Sequence, residues 1–525
     1  MKLIILGLDA LNYQLIEKCK EEMPTLYNHL KNDTQGKLRT TIPYFTGPTW
    51  TSFQTGKNIS NHGVANFFKY DPDLNPILIS SKDIQEATFY EIAHQHHLKC
   101  FVMNLPYTYP AKIPGDLVFS WLHIYDNLED LFQPKNLTER FSSLKQYQNR
   151  ADRSKSVITY LKTGYDVLVS QEKVIQELLQ KKEHDVYFFL LNAADMVQHK
   201  CFQQLMSNQN NQPTTLSKKI LSRLDQLVAW IDQHKDPNTT ILIASDHGFQ
   251  TYQGKFFING WLKNNHYLFT SSSGKQIKET INRRQKKRGN IDISRLVTFV
   301  KKHPKLFKFS EYFYDFFVRY CPFDLVKQQG IDFQKTKAFC RSTFEGSIFF
   351  NPNLTPTEKA QLKPQILQQL NQIPDLQAHD GDIFYPGKFR KELGDIIVTS
   401  EKYEIDSTIT NQEFMHLNRD MHAMDGIFMA YGPDIKKQYT INNANIFDIT
   451  PTLLHLLNLP VPSDMDGKVL TDIFSINSEP QTRTIQFSQT TSSTTSQTIP
   501  HNTSQNTTTT SEKDKLQQAI KNLQF

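Results

Sequence analysis

The chain is poor in cysteine and has no long apolar run. Only five of its 525 residues are cysteines, with no C-x-x-C pair. An odd, scattered set of this kind is not a disulfide framework and is typical of a reducing compartment. No apolar run approaches the ~20 residues that a membrane helix requires, and the first one is shorter than the core of a signal peptide. We therefore expect a soluble, cytoplasmic protein.

The chain also lacks a large excess of charge of one sign. It has 59 lysines and arginines against 53 aspartates and glutamates, which gives a formal net charge of +6. An excess of this size favours anionic partners only weakly. The basic run at residues 283–288 is short, and no recognised nucleic-acid-binding module accompanies it. Internal repeats are absent too, so the composition gives little support to a nucleic-acid-binding role.

What the sequence does contain is a series of short apolar runs separated by helical patterns. These runs cover residues 3–7, 99–106, 185–192 and 239–245. Short continuous runs are typical of parallel strands that are covered on both faces. At 525 residues the chain exceeds one ordinary domain. We predict a large α/β domain with a mostly parallel central sheet, an insertion and a tail.

Changes in composition set the expected boundaries. We predict a catalytic domain over 1–262 and 333–475, an inserted cap or lid over 263–332, a disordered Ser/Thr-rich tail over 476–511 and a short terminal helix over 512–525. Within the insertion, the basic run precedes aromatic residues at near-helical spacing. This pattern favours a packed amphipathic cap. The alternative is a lid that recruits an anionic or lipid-like substrate or contacts a membrane surface.

Residues able to bind metal follow three of the apolar runs. Asp9 follows the first run, Asp195 and His199 follow the third, and Asp246 and His247 follow the fourth. Ligands bind at the carboxyl ends of the strands in open α/β sheets. We therefore expect these side chains to meet at one edge of the sheet.

Each of these patterns is weak when taken alone. Asp195 and His199 are four residues apart, a spacing that allows two ligands on one helix face but is also common on surface helices. His422 precedes another apolar strand, at 427–431, and alone would be an ordinary histidine. Together, three aspartates, three histidines and a threonine are enough for two ions. Mixed imidazole and carboxylate ligands suit zinc, with manganese or iron as alternatives.

A hydroxyl-rich loop at residues 46–56 supplies that threonine. Its Thr-Gly-Pro opening predicts a turn into a short helix, because proline is tolerated in a first helical turn. Thr46 at the helix start can meet an anionic group, since the free N–H groups and the helix dipole favour negative charge there. An ordinary N-cap explains the same residue if the loop is considered alone.

Taken together, these fragments resemble the type I phosphodiesterase and nucleotide pyrophosphatase branch of the alkaline phosphatase superfamily. The resemblance covers residues 1–262 and about 336–475. It implies an alkaline phosphatase-like α/β/α sandwich that binds two divalent metal ions. One ion is assigned to Asp9, Thr46, Asp246 and His247, and the other to Asp195, His199 and His422.

The resemblance also implies that Thr46 is the nucleophile. A threonine hydroxyl is a poor nucleophile at neutral pH, so a coordinated cation must lower its pKa. A phospho-threonine intermediate would then form and be hydrolysed. Thr49 and Thr51 are rival hydroxyls, but the family's spacing selects Thr46. The Gly47 N–H and the Asn66 amide are the implied donors to the phosphoryl oxygens, although the alignment at Asn66 departs from the family pattern by one residue.

We therefore predict a metal-dependent hydrolase of phosphodiester or nucleotide pyrophosphate bonds, acting on a small phosphate ester or nucleotide. A phosphomonoesterase, a phosphonate hydrolase and a phosphoryl transferase or mutase are alternatives on the same site. A noncatalytic protein that binds an anionic partner is the alternative from another class. Trp50, Phe67 and Phe68 either stack on the substrate or pack in the core. The sequence does not specify the oligomeric state.

Overall fold

A computed structural model describes residues 2–70, 76–118, 132–141, 156–271, 330–342 and 346–489. All of these lie within one compact unit, Met1–Thr491. Most of the predicted insertion, the later part of the predicted tail and the predicted terminal helix at 512–525 lie outside the described residues. The boundaries that fall there stay predictions.

The strands of the described residues are numbered in chain order. They are β1 (Leu3–Leu8), β2 (Thr34–Arg39), β3 (Phe68–Tyr70), β4 (Pro76–Leu78), β5 (Cys100–Met103), β6 (Asp116–Val118), β7 (Phe132–Gln133), β8 (Val186–Leu191), β9 (Thr240–Ala244), β10 (Gly248–Phe257), β11 (Ala338–Phe339), β12 (Ser347–Phe350), β13 (Gln377–Asp380), β14 (Ile396–Thr399), β15 (Tyr403–Asp406), β16 (Phe414–Ala423), β17 (Asp425–Tyr431), β18 (Tyr439–Thr440), β19 (Ala444–Asn445), β20 (Val461–Pro462) and β21 (Phe487–Ser488).

The α-helices of the same residues are α1 (Tyr13–Lys18), α2 (Pro24–Asn32), α3 (Thr46–Thr55), α4 (Ile59–His62), α5 (Phe89–Gln95), α6 (Leu137–Arg140), α7 (Val157–Lys181), α8 (Ala193–Met206), α9 (Gln212–His234), α10 (Ile258–Asn264), α11 (Pro356–Asn371), α12 (Gly381–Phe384), α13 (Ile449–Leu456) and α14 (Glu479–Thr482). Short 3₁₀ turns cover Ser81–Asp83, Arg390–Glu392, Ile446–Asp448 and Thr471–Ile473.

The main sheet has ten strands in the order β18-β2-β17-β9-β1-β8-β5-β6-β7, with β19 also paired to β2. Its centre, from β9 to β6, is parallel. Strand β17 is antiparallel to both β9 and β2. Every residue of β1, β8 and β9 is buried, as expected for strands covered on both faces. The predicted mostly parallel central sheet is confirmed.

Helices pack on this sheet in two groups. Helices α2, α7, α8 and α9 contact one another, while α3, α5 and α13 form a second set of mutual contacts. Both groups contribute to one large hydrophobic core around the central strands. In α3, Trp50 is fully buried and packs edge-on against Phe188 of β8. Layers of helix, sheet and helix form the predicted α/β/α sandwich.

A second, smaller region is built from segments on both sides of the insertion. Strands β11 to β14 form a separate four-stranded sheet, and β15, β10 and β16 form a three-stranded one. Together with α10 and α11 they enclose their own hydrophobic cluster, which includes Phe256, Trp261, Ile348 and Ile366. The buried residues Ile396 to Val398 of β14 therefore belong to this smaller sheet. Its strands pair with near neighbours in antiparallel fashion, so they add nothing to the main sheet.

The predicted disordered tail begins too early, because residues 476–489 contain α14 and β21. Strand β21 pairs with β20. Pro480 is buried, and its carbonyl lies 2.7 Å from His455 Nε2. A buried proline and a backbone ladder anchor this otherwise polar stretch.

None of the described helices is long and apolar enough to span a bilayer. Four of the five cysteines fall within the described residues, and none of the four forms a disulfide bond there.

Candidate active site

Three neighbouring strands deliver the predicted metal ligands to one edge of the main sheet. Strands β8, β1 and β9 are adjacent and parallel. Asp9 follows β1, Asp195 lies in the first turn of α8 directly after β8, and Asp246 follows β9. Carboxyl ends of adjacent parallel strands meet, so three carboxylates separated by up to 237 residues are brought together.

One group of ligand atoms joins α8 to β16. His199 Nε2 lies 3.1 Å from Asp195 Oδ1, one helical turn away. His422 Nε2 lies 3.5 Å from the same carboxylate oxygen and 3.0 Å from His199 Nε2. His422 belongs to β16 itself and pairs with Phe249 of β10. All three side chains point their ligand atoms at one small volume, which suits a cation.

A second group consists of Asp9, Asp195 and His247. His247 Nε2 lies 3.5 Å from Asp9 Oδ1 and 3.5 Å from Asp246 Oδ2. His247 Nδ1 lies 3.0 Å from the Gly248 carbonyl. That contact makes Nδ1 the N–H donor and leaves Nε2 as the ligand atom that faces the carboxylates.

The two groups share Asp195, which the resemblance assigns to one ion alone. The rings of His247 and His422 also stack, with centroids 3.8 Å apart. The halves of the predicted centre are therefore in direct contact. Aspartate has two oxygens, so one carboxylate can serve two neighbouring cations.

Electrostatics favours cations in this arrangement. Burial and the charges of Asp246 and Asp195 raise the pKa of Asp9 well above its usual value. Burial likewise raises the pKa of Asp246. For Asp195, burial acts in the same direction, but His199 and His422 outweigh it and hold its pKa well below the usual range. Buried carboxylates in contact are stable as anions only beside positive charge.

The residues present fit divalent metal ions. Asp9 and His247 are almost fully buried, yet Asp9 Oδ1 and His247 Nε2 make no hydrogen bond with any described residue. No described lysine or arginine forms an ion pair with Asp9 or Asp246. Buried polar atoms are normally satisfied, so unsatisfied lone pairs that face each other indicate a cation site.

Thr46 is the first residue of α3, at the edge of this centre. Thr49 Oγ1 lies 3.4 Å from Asp246 Oδ2, which places the first turn of α3 against the carboxylates. The rival hydroxyls are engaged within the helix, since Thr49 donates to the Phe45 carbonyl at 2.9 Å and Thr51 to the Gly47 carbonyl at 2.8 Å. Thr46 is 8% exposed, whereas Thr49 and Thr51 have no exposed surface.

Asn66 lies in a buried loop, where its amide has structural partners. Its Oδ1 accepts from the Phe67 N–H at 2.7 Å and its Nδ2 donates to Ser342 Oγ at 3.1 Å. The loop is near the α3 start, because Tyr107 Oη lies 3.4 Å from the Asn66 carbonyl and would meet a Cβ at Gly47. The catalytic role of Asn66 stays a prediction. Phe67 and Phe68 are buried, like Trp50, so all three pack in the core.

Several residues that surround the ligands are not predicted by any sequence pattern. Gln198 and Asn12 bind the Ala10 carbonyl beside Asp9. Tyr252 donates to the His422 carbonyl at 2.9 Å, and its hydroxyl oxygen lies 2.8 Å from that of Tyr44. Only the position of Gln198 between two candidate ligands could have drawn attention to any of these residues.

Fold and site together define an α/β protein with a buried carboxylate and imidazole centre suited to two divalent cations. The family model described as type I phosphodiesterase / nucleotide pyrophosphatase matches residues 3–308, which is more than half of the chain. The chain belongs to this family, and it is a hydrolase of phosphodiester or pyrophosphate bonds.

Solved structures support the fold. The chain is similar to murine ectonucleotide pyrophosphatase / phosphodiesterase 5, solved as an inactive threonine-to-alanine variant in complex with AMP, with 13% identity, a TM-score of 0.52, and 90% of this chain and 100% of that chain covered. The human protein of the same name gives 14% identity and a TM-score of 0.51, with 91% and 100% covered. No curated protein sequence matches the chain significantly. The predicted alkaline phosphatase-like fold is confirmed.

Proposed function

We propose that this hydrolase is metal-dependent and that Thr46 attacks the phosphorus of a phosphodiester or nucleotide pyrophosphate. The observation that carries the proposal is the placement of the α3 start against Asp246, within a centre whose buried Asp9 and His247 atoms are unsatisfied. A nucleophile beside a cation site is the arrangement that activates a hydroxyl at neutral pH.

We assign the ligands to two ions as the resemblance implies, with Asp195, which belongs to both groups, at the boundary. Asp9, Asp246, His247 and Thr46 would hold one ion, and Asp195, His199 and His422 the other. When bound, the ions supply a lowered pKa for the Thr46 hydroxyl and charge compensation at the phosphoryl group. The ligand types suit zinc, manganese or iron.

The chain's own groups support Thr46 as the hydroxyl that would react. Thr51 donates to the Gly47 carbonyl and Thr49 to the Phe45 carbonyl, with Thr49 Oγ1 also 3.4 Å from Asp246 Oδ2, so both hydroxyls already have acceptors. Thr46 keeps a small exposed surface. Its hydroxyl would lose its proton to solvent and its Oγ would form the new bond to phosphorus, while the leaving group departs with the bonding electron pair. Water would then cleave the threonine–phosphorus ester and regenerate the hydroxyl.

The start of α3 also supplies a backbone donor. The first N–H groups of a helix have no intrahelical acceptor and favour anions. Pro48 has no N–H, so Gly47 is the residue next to Thr46 that can donate to a phosphoryl oxygen. Glycine suits position 47, because a Cβ on this residue would lie 2.4 Å from Tyr107 Oη, which is closer than two non-bonded atoms can approach.

The proposed substrate is a small nucleotide or a related phosphate ester. The AMP complex of the similar murine structure supports this class. The net charge of +6 is also compatible with an anionic substrate.

Turnover of three chromogenic esters tests the proposal. These are thymidine 5′-monophosphate p-nitrophenyl ester, bis-p-nitrophenyl phosphate and p-nitrophenyl phosphate, each assayed with zinc or manganese and after chelation. We expect the two diesters to react faster than the monoester, and chelation to abolish turnover. Thr46→Val, which keeps the side-chain shape, should lower kcat at least ~10³-fold.

Thr55→Val is the matched control. Thr55 is also buried and lies in the last turn of the same helix, so turnover by Thr55→Val should stay close to that of the native chain. Full activity of Thr46→Val, or turnover that survives complete removal of metal, would refute the proposal. A preference for the monoester would refute the diesterase assignment alone.

A further inference from the structure

Gln198 lies on α8 between two predicted metal ligands, Asp195 and His199, yet its side chain contacts a different part of the chain. The side chain is fully buried. Its Nε2 donates to the Ala10 carbonyl at 2.9 Å, and its Oε1 accepts from Asn12 Nδ2 at 2.8 Å. Nε2 also lies 3.3 Å from the Ala194 carbonyl. The amide is therefore bonded at both ends.

The turn that Gln198 contacts is unusual. Ala10 has a φ of +61°, in the left-handed region that is disfavoured for alanine. Its carbonyl accepts a second bond, from Asn12 Nδ2 at 3.1 Å. Its N–H lies 3.4 Å from Asp246 Oδ1. Strained backbone persists where the surroundings fix it, and here the bonds from Gln198 and Asn12 do so.

This strained turn follows Asp9 directly, and its N–H reaches Asp246. Gln198 thus connects the helix that carries Asp195 and His199 to the turn that carries Asp9. The hydrogen bond spans 188 residues of sequence and joins the two halves of the centre. Mutation of residues that orient metal ligands from outside typically lowers metal affinity or activity about 10- to 100-fold.

We propose that Gln198 is a positioning residue that sets the spacing between the two halves of the metal centre by holding Ala10 in its left-handed conformation. The inference rests on the proposed function, because it concerns the same ligands. It assigns a role to a buried residue outside the proposed ligand set.

The test compares metal binding by the native chain, Gln198→Met and Gln203→Met. Methionine matches glutamine in length and helix propensity but cannot form the two hydrogen bonds. Gln203 lies on the same helix, is exposed and bonds to Asp420 instead of Ala10. Calorimetric titration with Mn²⁺ on metal-free protein gives the number of ions and their dissociation constants, and circular dichroism verifies folding.

We expect Gln198→Met to raise the dissociation constants of both ions about 10- to 100-fold, and Gln203→Met to leave them unchanged. Adding Ala10→Gly to Gln198→Met should restore part of the affinity, because glycine adopts a positive φ without strain. This recovery separates a positioning role from a general packing role.

If Gln198→Met does not fold, Gln198→Glu serves in its place. Glutamate keeps the volume and the bond from Asn12 but cannot donate to Ala10. Its extra negative charge would favour cations, so a loss of affinity in this variant supports the proposal more strongly. Native affinity in a folded Gln198 variant, or a loss that Ala10→Gly does not recover, would overturn the inference. Failure of the native chain to bind metal would instead refute the proposed function, and the inference with it.

Discussion

His29 of α2 is a buried source of pH-dependent stability outside the active site. Its two ring nitrogens lie 2.7 Å from an Asp33 oxygen and 2.8 Å from an Asp232 oxygen. Its ring stacks on Tyr431 with centroids 3.9 Å apart, and Asp225 of α9 also interacts with its charge. Burial disfavours the imidazolium, but the bonds to Asp232 and Asp33 outweigh it and raise the pKa of His29 to about 9.

The sign and the size of the effect follow from this value. The unfolded pKa of histidine is about 6.5. Because the folded pKa is higher, the stabilisation is fully present below pH 6.5 and is lost as the pH rises through 9. A difference of roughly 2.5 units corresponds to about 3 kcal/mol. Asp232 has a side chain that is 24% exposed, and solvent screening reduces the expected contribution to about 2 kcal/mol.

Urea unfolding of the native chain and His29→Gln at pH 6 and pH 9.5 measures this contribution. The loss in free energy of unfolding caused by His29→Gln should be about 2 kcal/mol larger at pH 6 than at pH 9.5. Lys31→Gln is the control, since Lys31 lies on the same helix as His29 and forms an exposed ion pair with Glu17 of α1. Such pairs contribute little, so its effect should be small at both values. An equal destabilisation by His29→Gln at both pH values would refute the reasoning.

Two further predictions concern stability. His62 is fully buried, which lowers its pKa to about 3. Its Nδ1 accepts from the Val64 N–H, and its Nε2 lies 2.8 Å from Ser52 Oγ. The contribution of neutral His62 to stability is therefore fully present above pH 6.5. It falls by about 1.4 kcal/mol for each pH unit below 6.5. Urea unfolding of the native chain and His62→Gln measures this contribution. The amount by which the native chain exceeds His62→Gln in free energy of unfolding should be about 2 kcal/mol larger at pH 7 than at pH 5. An equal difference at both pH values would contradict this. Bound metal should also stabilise the fold, by about 2.7 kcal/mol at 100 times the dissociation constant. Thermal unfolding with Mn²⁺ and with chelator measures this shift, which Asp246→Asn should largely remove. A shift of the same size in Asp246→Asn would contradict the assigned ligand.

Much of the fold and the ligand set is readable from sequence because parallel strands follow a simple rule. Short apolar runs indicate buried strands, and polar residues at their carboxyl ends must meet. Asp9, Asp195 and Asp246 obey this rule, so the sequence places them correctly without any knowledge of pairing. The hydroxyl loop similarly predicts the start of α3, where Thr46 lies.

The remaining features depend on contacts that no local pattern encodes. His422 precedes β17, as the sequence predicts, but it also lies within β16, whose mixed polarity hides its strand character. The left-handed Ala10 and its bond to Gln198 join segments that are 188 residues apart. Asp195 belongs to both ligand groups because the fold brings the two groups into contact, which no sequence pattern encodes. The separate sheet after the insertion arises from antiparallel pairing, which apolar runs alone do not predict.

The central claim is that Thr46 forms the bond to phosphorus. Turnover of thymidine 5′-monophosphate p-nitrophenyl ester, quenched in acid and followed by peptide mass spectrometry, tests this directly. Attack by Thr46 releases p-nitrophenolate and leaves a thymidylyl group on Thr46 Oγ. The prediction is that this mass appears on the peptide containing residues 46–56 and is absent in Thr46→Val. A thymidylyl group on another residue, or unchanged turnover by Thr46→Val, would contradict it.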